Sequence, residues 1–120
     1  MSFNLTQQQL ESMSNFELNV VAANHFYDCG NLTTSPSKDD IGSAWVLCNG
    51  KLENTNYDPC TSWLDCGELI DELSAVTGST IEFDDDIFIF HYRRNKTVVK
   101  CKNTKRAVTI VYILVKQLQK

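Results

Sequence analysis

The segment Asp58-Pro59-Cys60-Thr61-Ser62-Trp63-Leu64-Asp65-Cys66-Gly67 is the starting point for predicting the fold. Pro59 fixes its own φ and favours an extended Asp58, so the segment is expected to begin as a turn. Ser62 is a residue type that caps helices. Asp65 places a carboxylate in the first turn, near the positive end of the helix dipole. The segment therefore indicates a turn followed directly by the start of a helix.

The helix that follows carries an apolar stripe that begins at Trp63. At helical spacing, the stripe continues with Cys66, Leu69, Ile70, Leu73 and Val76. We predict a helix over 62–76, with Trp63 largely buried between this helix and a sheet. The structural anchors of the prediction are Pro59, Trp63 and Asp65.

Two further helices are indicated by their caps. Ser14 with Glu17 three residues later matches a capping box and predicts a helix near 15–26, and Thr6 predicts a short helical turn before it. Asn103 or Thr104 is expected to cap a helix that reaches about residue 118. The side chains expected to face inward on it are Ala107, Val108, Val111, Tyr112, Val115 and Leu118.

The strands are indicated by turn residues and by apolar runs. Asn49-Gly50 is a hairpin signal between 41–47 and 51–57, and the small polar residues of 30–40 predict a loop. Residues 87–92 are apolar or aromatic on both faces, which is typical of a central strand covered on both sides. A further strand is predicted over residues 97–101. We predict one compact α+β domain over 1–120, with about three helices packed on a small antiparallel sheet of three to five strands.

Charge is distributed very unevenly along the chain. All fifteen acidic residues lie at or before Asp86, whereas residues 93–120 carry nine basic residues and no acidic one. The basic residues near the start of the last helix, where unpaired backbone N–H groups favour anions, form a candidate site for phosphate or a nucleotide. The predicted ligands are Arg93, Arg94, Lys102, Lys105 and Arg106. The alternative is that these charges balance the acidic remainder, within one molecule or across an oligomer.

The five cysteines are predicted to be free thiols. Their number is odd, they form no CxxC pair, and the first twenty residues lack a basic start followed by an apolar run. These features predict a reducing, cytoplasmic location. The longest apolar run, Val108 to Val115, is far shorter than the roughly 20 residues of a membrane span, so no membrane partner is expected.

No pattern of nucleophile, base and orienting group occurs, and no spacing typical of metal ligands. We therefore predict a binding protein, not an enzyme, with no catalytic residue, no metal and no cofactor. Its predicted partner is a protein or a small anionic ligand. Nucleic acid is not expected, since aromatic residues stop at Tyr92, before the basic segment. A thiol-dependent enzyme is the third class considered.

Three motifs, in order along the chain, resemble those of the phage NinX-like family. Residues 58–67 with Leu69-Ile70 are similar to the family signature NPC-x-S-W-x-D-x-G-x-I-I. Residues 103–107 resemble its NPLRA helix start, and 14–19 its S-D-F-E-I-N helix start. The resemblance implies a phage or prophage accessory protein acting in a bacterial cytoplasm. It implies no catalytic residue, and its phage origin favours a protein that binds a host factor and counters host defence, with a nucleotide sponge as the alternative.

Overall fold

Ten elements of secondary structure lie within the part of the chain that the computed structural model describes, namely residues 5–38, 42–76, 79–84, 87–92, 95–100 and 103–118. In chain order they are α1 (Gln7–Glu11), α2 (Asn15–Phe26), β1 (Leu32–Pro36), β2 (Ala44–Cys48), β3 (Lys51–Tyr57), α3 (Trp63–Ser74), β4 (Ser79–Asp84), β5 (Ile87–Tyr92), β6 (Asn95–Lys100) and α4 (Thr104–Leu118). The α+β class is confirmed. The counts differ from the prediction, because the described residues form four helices and two separate three-stranded sheets.

The first two helices begin at capping boxes. Thr6 Oγ1 accepts from the Gln9 N–H at 3.1 Å and Gln9 Oε1 accepts from the Thr6 N–H at 2.8 Å. Ser14 and Glu17 repeat the arrangement at 3.1 and 3.0 Å. These bonds satisfy backbone donors that a helix start otherwise leaves unpaired. The predicted helix over 15–26 and the short helix before it are confirmed.

The first sheet has the order β1-β2-β3 with antiparallel pairing. Asn49 and Gly50 have φ values of 53° and 81°, the left-handed pair that a two-residue hairpin requires, so this hairpin is confirmed. The prediction of a loop over 30–40 is wrong for residues 32–36, because β1 pairs with β2 from Leu32, opposite Cys48, to Pro36, opposite Ala44; residues 39–40 lie outside the described part of the chain. The sequence of β1 has few apolar side chains to bury, so its backbone hydrogen bonds to β2 hold it in the sheet.

Pairing of β1 with β2 also brings two cysteines together. Cys29 and Cys48 form a disulfide, with their Cα atoms 5.9 Å apart, whereas Cys60 and Cys66 are free and buried and Cys101 lies outside the described residues. The prediction of free thiols is wrong for the disulfide pair. The cytoplasmic location, which that prediction supported, stays a prediction.

The second sheet has the order β4-β5-β6, so the central position predicted for 87–92 is confirmed. Phe88 and Phe90 of β5 and Val99 of β6 are buried on the inner face. Ile89 on the opposite face is only half-buried, and its neighbour Val98 is exposed. Complete burial therefore holds for one face of β5, not for both as predicted.

The centre of the fold is α4, which contacts α1, α2 and α3 as well as β5 and β6. Its side chains from Ala107 to Ile113 are all buried, as expected of a helix surrounded on every side. Leu118, which was predicted to face inward, is exposed instead, since it lies at the end of the helix beyond these contacts. No helix among the described residues has the length and apolar character needed to cross a bilayer.

Candidate functional site

The turn before α3 rests on a buried polar cluster. Asn19 Nδ2 donates to Asp58 Oδ1 at 2.8 Å, and Asn19 Oδ1 accepts from the Cys60 N–H at 3.3 Å. Asp65 Oδ2 accepts from the Asp58 N–H at 2.9 Å, and Thr61 donates its hydroxyl to the other Asp58 oxygen. Buried polar groups are tolerated where they are bonded in this way. The cluster therefore fixes the turn in one conformation.

The start of α3 differs in detail from the prediction. Ser62 is the N-cap, but its side chain makes no capping bond. Asp65 turns back to the Asp58 N–H, and Pro59 is buried in the turn between them. Burial raises the pKa of Asp65, the Asp58 N–H opposes that shift, and the negative charge of Asp58 adds to it. The carboxyl of Asp65 is thus used to hold the turn.

Trp63 is not buried as predicted, since 57% of it is exposed. The inner face of α3 is set by Cys66, Leu69 and Leu73, which are all buried. At about 100° per residue, Trp63 lies on the flank of that face. Its neighbour is the first turn of α4 and not a sheet: Lys105 Nζ lies 4.5 Å from the centroid of the Trp63 ring.

Of the basic residues predicted to bind an anion, the two that the structure describes, Arg106 and Lys105, lie in different surroundings. Arg106 Nη1 donates to Asn15 Oδ1 at 2.7 Å, and Nη2 donates to the carbonyl oxygens of Met13 at 2.5 Å and Glu11 at 3.1 Å. Lys105 lies against Trp63. The remaining three predicted ligands, Arg93, Arg94 and Lys102, lie outside the described residues. Arg106 and Lys105 are adjacent in sequence, but Arg106 binds the link between α1 and α2 and Lys105 lies over Trp63.

The first turn of α4 is capped by Asn103. Its Oδ1 accepts from the Arg106 N–H at 3.3 Å, and its Nδ2 donates to the Cys60 carbonyl oxygen at 2.9 Å. One side chain thus caps α4 and attaches it to the turn before α3. A backbone N–H that an anion would bind at a helix start is here already bonded.

The two free cysteines lie beneath the same junction. Burial raises the pKa of Cys60 to about 12, although Thr109 and Arg106 oppose the shift. Burial likewise raises the pKa of Cys66 to about 12, against the charge of Lys105. A thiol attacks as its thiolate, so these two side chains are poor nucleophiles near neutral pH. Within the described ranges, no group of three or more His, Cys, Asp or Glu side chains is arranged to hold a metal ion.

A shallow cleft of about 180 Å³ lies between α3 and α4. Glu72 Oε1 accepts from the Tyr112 hydroxyl at 3.2 Å and pairs with Lys116 Nζ at 3.0 Å. These polar groups satisfy one another. The volume of the cleft includes space open to solvent, and the part that a water-sized occupant could fill is about 10 Å³, roughly what one water molecule requires, so the cleft offers little room for a nucleotide.

The most exposed surface of α3 faces away from the core. We call it the α3 outer face and define it by the residues that share this side of the helix, Trp63, Leu64, Gly67, Glu68 and Asp71. Leu64 is 80% exposed, and a Cβ added at Gly67 would meet no atom within 4 Å. The sequence contains two signals of this face, namely a leucine outside the apolar stripe and a glycine in mid-helix, although the face was not among the sites predicted from the sequence.

Comparisons of the chain with known protein families, with characterised proteins and with solved structures gave no match. The resemblance to the phage NinX-like family therefore stays a prediction.

Proposed function

We propose that the protein is a non-enzymatic binding protein of phage or prophage origin, and that it binds a host protein through the α3 outer face. The observation that carries the proposal is the exposure of two adjacent large apolar side chains, Trp63 and Leu64. Exposed apolar surface of this kind is typical of interaction sites. Tryptophan is also among the residues that contribute most to protein–protein affinity.

The anchor is held in place before any partner arrives. Trp63 follows a turn whose backbone N–H groups at Asp58 and Cys60 are bonded to buried side chains. Lys105 lies over its ring, a contact that favours this orientation of the indole by roughly 0.5–1 kcal/mol. Binding by an ordered side chain costs less conformational entropy than binding by a mobile one. Rigid support of this kind favours a docking role for Trp63.

The nucleotide sponge receives less support. It requires the basic residues near the start of α4 to share one anion, yet Arg106 is bonded to Asn15, Met13 and Glu11. The helix N-terminus is capped by Asn103. The nucleotide sponge is therefore the weaker of the two candidate functions.

The phage origin is supported by the resemblance of three motifs, and residues 58–67, which resemble the longest of them, form the support of the proposed anchor. The expected role of such an accessory protein is to bind a host factor and counter host defence. The cytoplasm of an infected or lysogenic bacterium is the expected location.

The experiment compares protein partners captured by three tagged proteins in extracts of infected and lysogenic bacteria. They are the unaltered chain, the double variant Trp63→Ala/Leu64→Ala, and the control Leu118→Ala, which removes another exposed leucine at the far end of α4. Circular dichroism confirms that each is folded. We expect one host polypeptide in stoichiometric amount with the unaltered chain and the control, and its loss from the double variant.

Two results would contradict the proposal. One is a host polypeptide that the double variant captures as well as the unaltered chain does. The other is a nucleotide that co-purifies with the chain and is seen by native mass spectrometry, with no protein partner. The second result would support the nucleotide sponge instead.

A further inference from the structure

Resting on the proposed function, we infer that the α3 outer face receives a basic amphipathic helix of the partner protein, and that the backbone of this helix approaches most closely at Gly67. Three independent features of α3 lead to this inference: a glycine with open space above it, an apolar anchor at one end, and an acidic row beside them.

Gly67 lies inside a twelve-residue helix, where glycine is less stable than alanine by roughly 0.5–1 kcal/mol. A helical backbone does not need the conformational freedom of glycine. Nor does packing within the chain require it, because a Cβ at this position would meet no atom within 4 Å. The side chain is therefore missing from a site that has room for one. Small residues at such positions allow a second helix to approach closely.

The shape of the face selects a helix as the occupant. A strand pairs through free backbone N–H and C=O groups of a sheet edge, whereas the backbone groups in the interior of α3 are bonded within the helix. Two helices pack instead by placing side-chain ridges in grooves. Trp63 and Leu64 offer the ridge, and Gly67 offers the groove one turn later. With twelve residues, α3 is about 18 Å long and matches a partner helix of about three turns.

The charge of the face selects a basic occupant. Glu68 and Asp71 are exposed, and residues 63–74 contain no basic side chain. Lys105 lies beside this face at Trp63, which is about two helical turns from Asp71. Glu68 and Asp71 lie three residues apart on α3 and are therefore neighbours on its surface. Slight burial raises the pKa of Glu68, and the charges of Asp65, Glu72 and Asp71 raise it further. Lysine or arginine on a partner helix would relieve this repulsion.

The same charges disfavour other occupants. Nucleic acid and anionic membranes carry the same sign of charge as Glu68 and Asp71. A second copy that used the same face would bring two acidic helix surfaces together, because residues 63–74 contain no basic side chain in either copy. A different chain with a basic surface is the occupant that fits.

The test uses two designed fifteen-residue helical peptides as probes, one of leucine and lysine and the other with glutamate at every lysine position. Binding is followed by the fluorescence of Trp63 in a Trp45→Phe background. We expect the basic peptide to shift the emission of Trp63 to shorter wavelength and the acidic peptide to leave it unchanged. Added salt should weaken the basic complex, because screening reduces attraction between exposed charges.

Variants separate specific docking from general charge attraction. Gly67→Leu, which fills the groove, and Glu68→Lys should each weaken binding of the basic peptide about tenfold, equivalent to 1.4 kcal/mol. The matched control Glu53→Lys reverses an exposed charge on β3 and should change the affinity less than twofold. Gly67→Ala should raise the midpoint of urea unfolding while weakening peptide binding, a combination that a purely structural glycine would not give.

Equal binding of both peptides would overturn the inference, as would an affinity that Gly67→Leu leaves unchanged. Capture of the host partner by the same variants is a second test. If that partner is lost from Trp63→Ala/Leu64→Ala but kept by Gly67→Leu and Glu68→Lys, the proposed function stands and the basic helix is excluded. If all these variants keep the partner, both proposals fall.

Discussion

Replacing Arg106 with methionine is expected to lower the free energy of unfolding by about 2–3 kcal/mol, because the guanidinium connects the start of α4 to the link between α1 and α2. Of its three bonds, those to Asn15 at 2.7 Å and Met13 at 2.5 Å are partly buried, and that to the Glu11 carbonyl is exposed. Water can replace the exposed bond, whereas each partly buried one contributes about 1–1.5 kcal/mol. Methionine keeps most of the apolar stem, so the loss reports the hydrogen bonds.

The measurement is urea unfolding followed by circular dichroism, with the melting temperature as a second readout. A loss of this size corresponds to a decrease on the order of 10 °C for a domain of this length. The matched control is Lys105→Met, which removes the neighbouring charge. Its cost should stay below about 1 kcal/mol, since a cation over a partly exposed ring is worth roughly 0.5–1 kcal/mol.

The opposite outcome has a definite meaning. If Arg106→Met changes the free energy of unfolding by less than about 0.5 kcal/mol, the typical range for a surface substitution, Arg106 does not act as a structural clamp. If phosphate stabilises the unaltered chain more than chloride does at equal ionic strength, and the variant loses that difference, Arg106 belongs to an anion site.

Three further substitutions or treatments have expected outcomes. Trp63→Ala should cost about 1 kcal/mol in urea unfolding instead of the 3–5 kcal/mol of a buried tryptophan, because the ring is 57% exposed; a loss above 3 kcal/mol would show that it is packed. The raised pKa of Asp65 favours its protonated form in the folded chain, so its contribution to stability is present at low pH and is lost as pH rises through that pKa. The variant Asp65→Asn keeps an acceptor for the Asp58 N–H. Its free energy of unfolding should therefore vary less with pH than that of the unaltered chain, between the ordinary and the raised pKa of Asp65. Reducing the Cys29–Cys48 disulfide, which spans a sequence separation of 19, should lower the free energy of unfolding by about 3 kcal/mol, and the doubly serine-substituted chain should not respond to reductant.

Local signals predicted the elements whose causes are local. The capping box at Ser14 placed the start of α2, and Asn49-Gly50 placed the first hairpin, because a cap and a two-residue turn are determined by neighbouring residues. The strand β1 was not predicted, because its structure comes from pairing with β2 and Leu32 is the only large aliphatic side chain in its sequence. The disulfide was missed for the same reason, since the partner of Cys29 becomes apparent only when that pairing is known.

The candidate site shows a different limit of sequence reasoning. Periodicity places Trp63 on the flank of an apolar stripe, and the position of α4, not the period, decides whether a flanking residue is covered. A cluster of basic residues likewise does not reveal which of them turns inward: the contact between Arg106 and Asn15 joins positions 91 residues apart. Gly67 and Leu64, by contrast, depart from the pattern of a regular amphipathic helix, and such departures are expected at functional positions; this signal was present in the sequence but was overlooked.

The central position of α4 has a consequence for synthesis on the ribosome. All other described elements precede it along the chain, and the core they surround is filled by its side chains. Its end also meets the earliest described residue, since the Leu5 N–H donates to Gln117 Oε1 at 2.9 Å across a separation of 112. At about 5–20 residues per second, the roughly 80 residues between α2 and α4 take several seconds to make. During that interval the nascent chain exposes the apolar surfaces that α4 later covers, and exposed apolar surface of this kind makes a partly folded chain prone to aggregation.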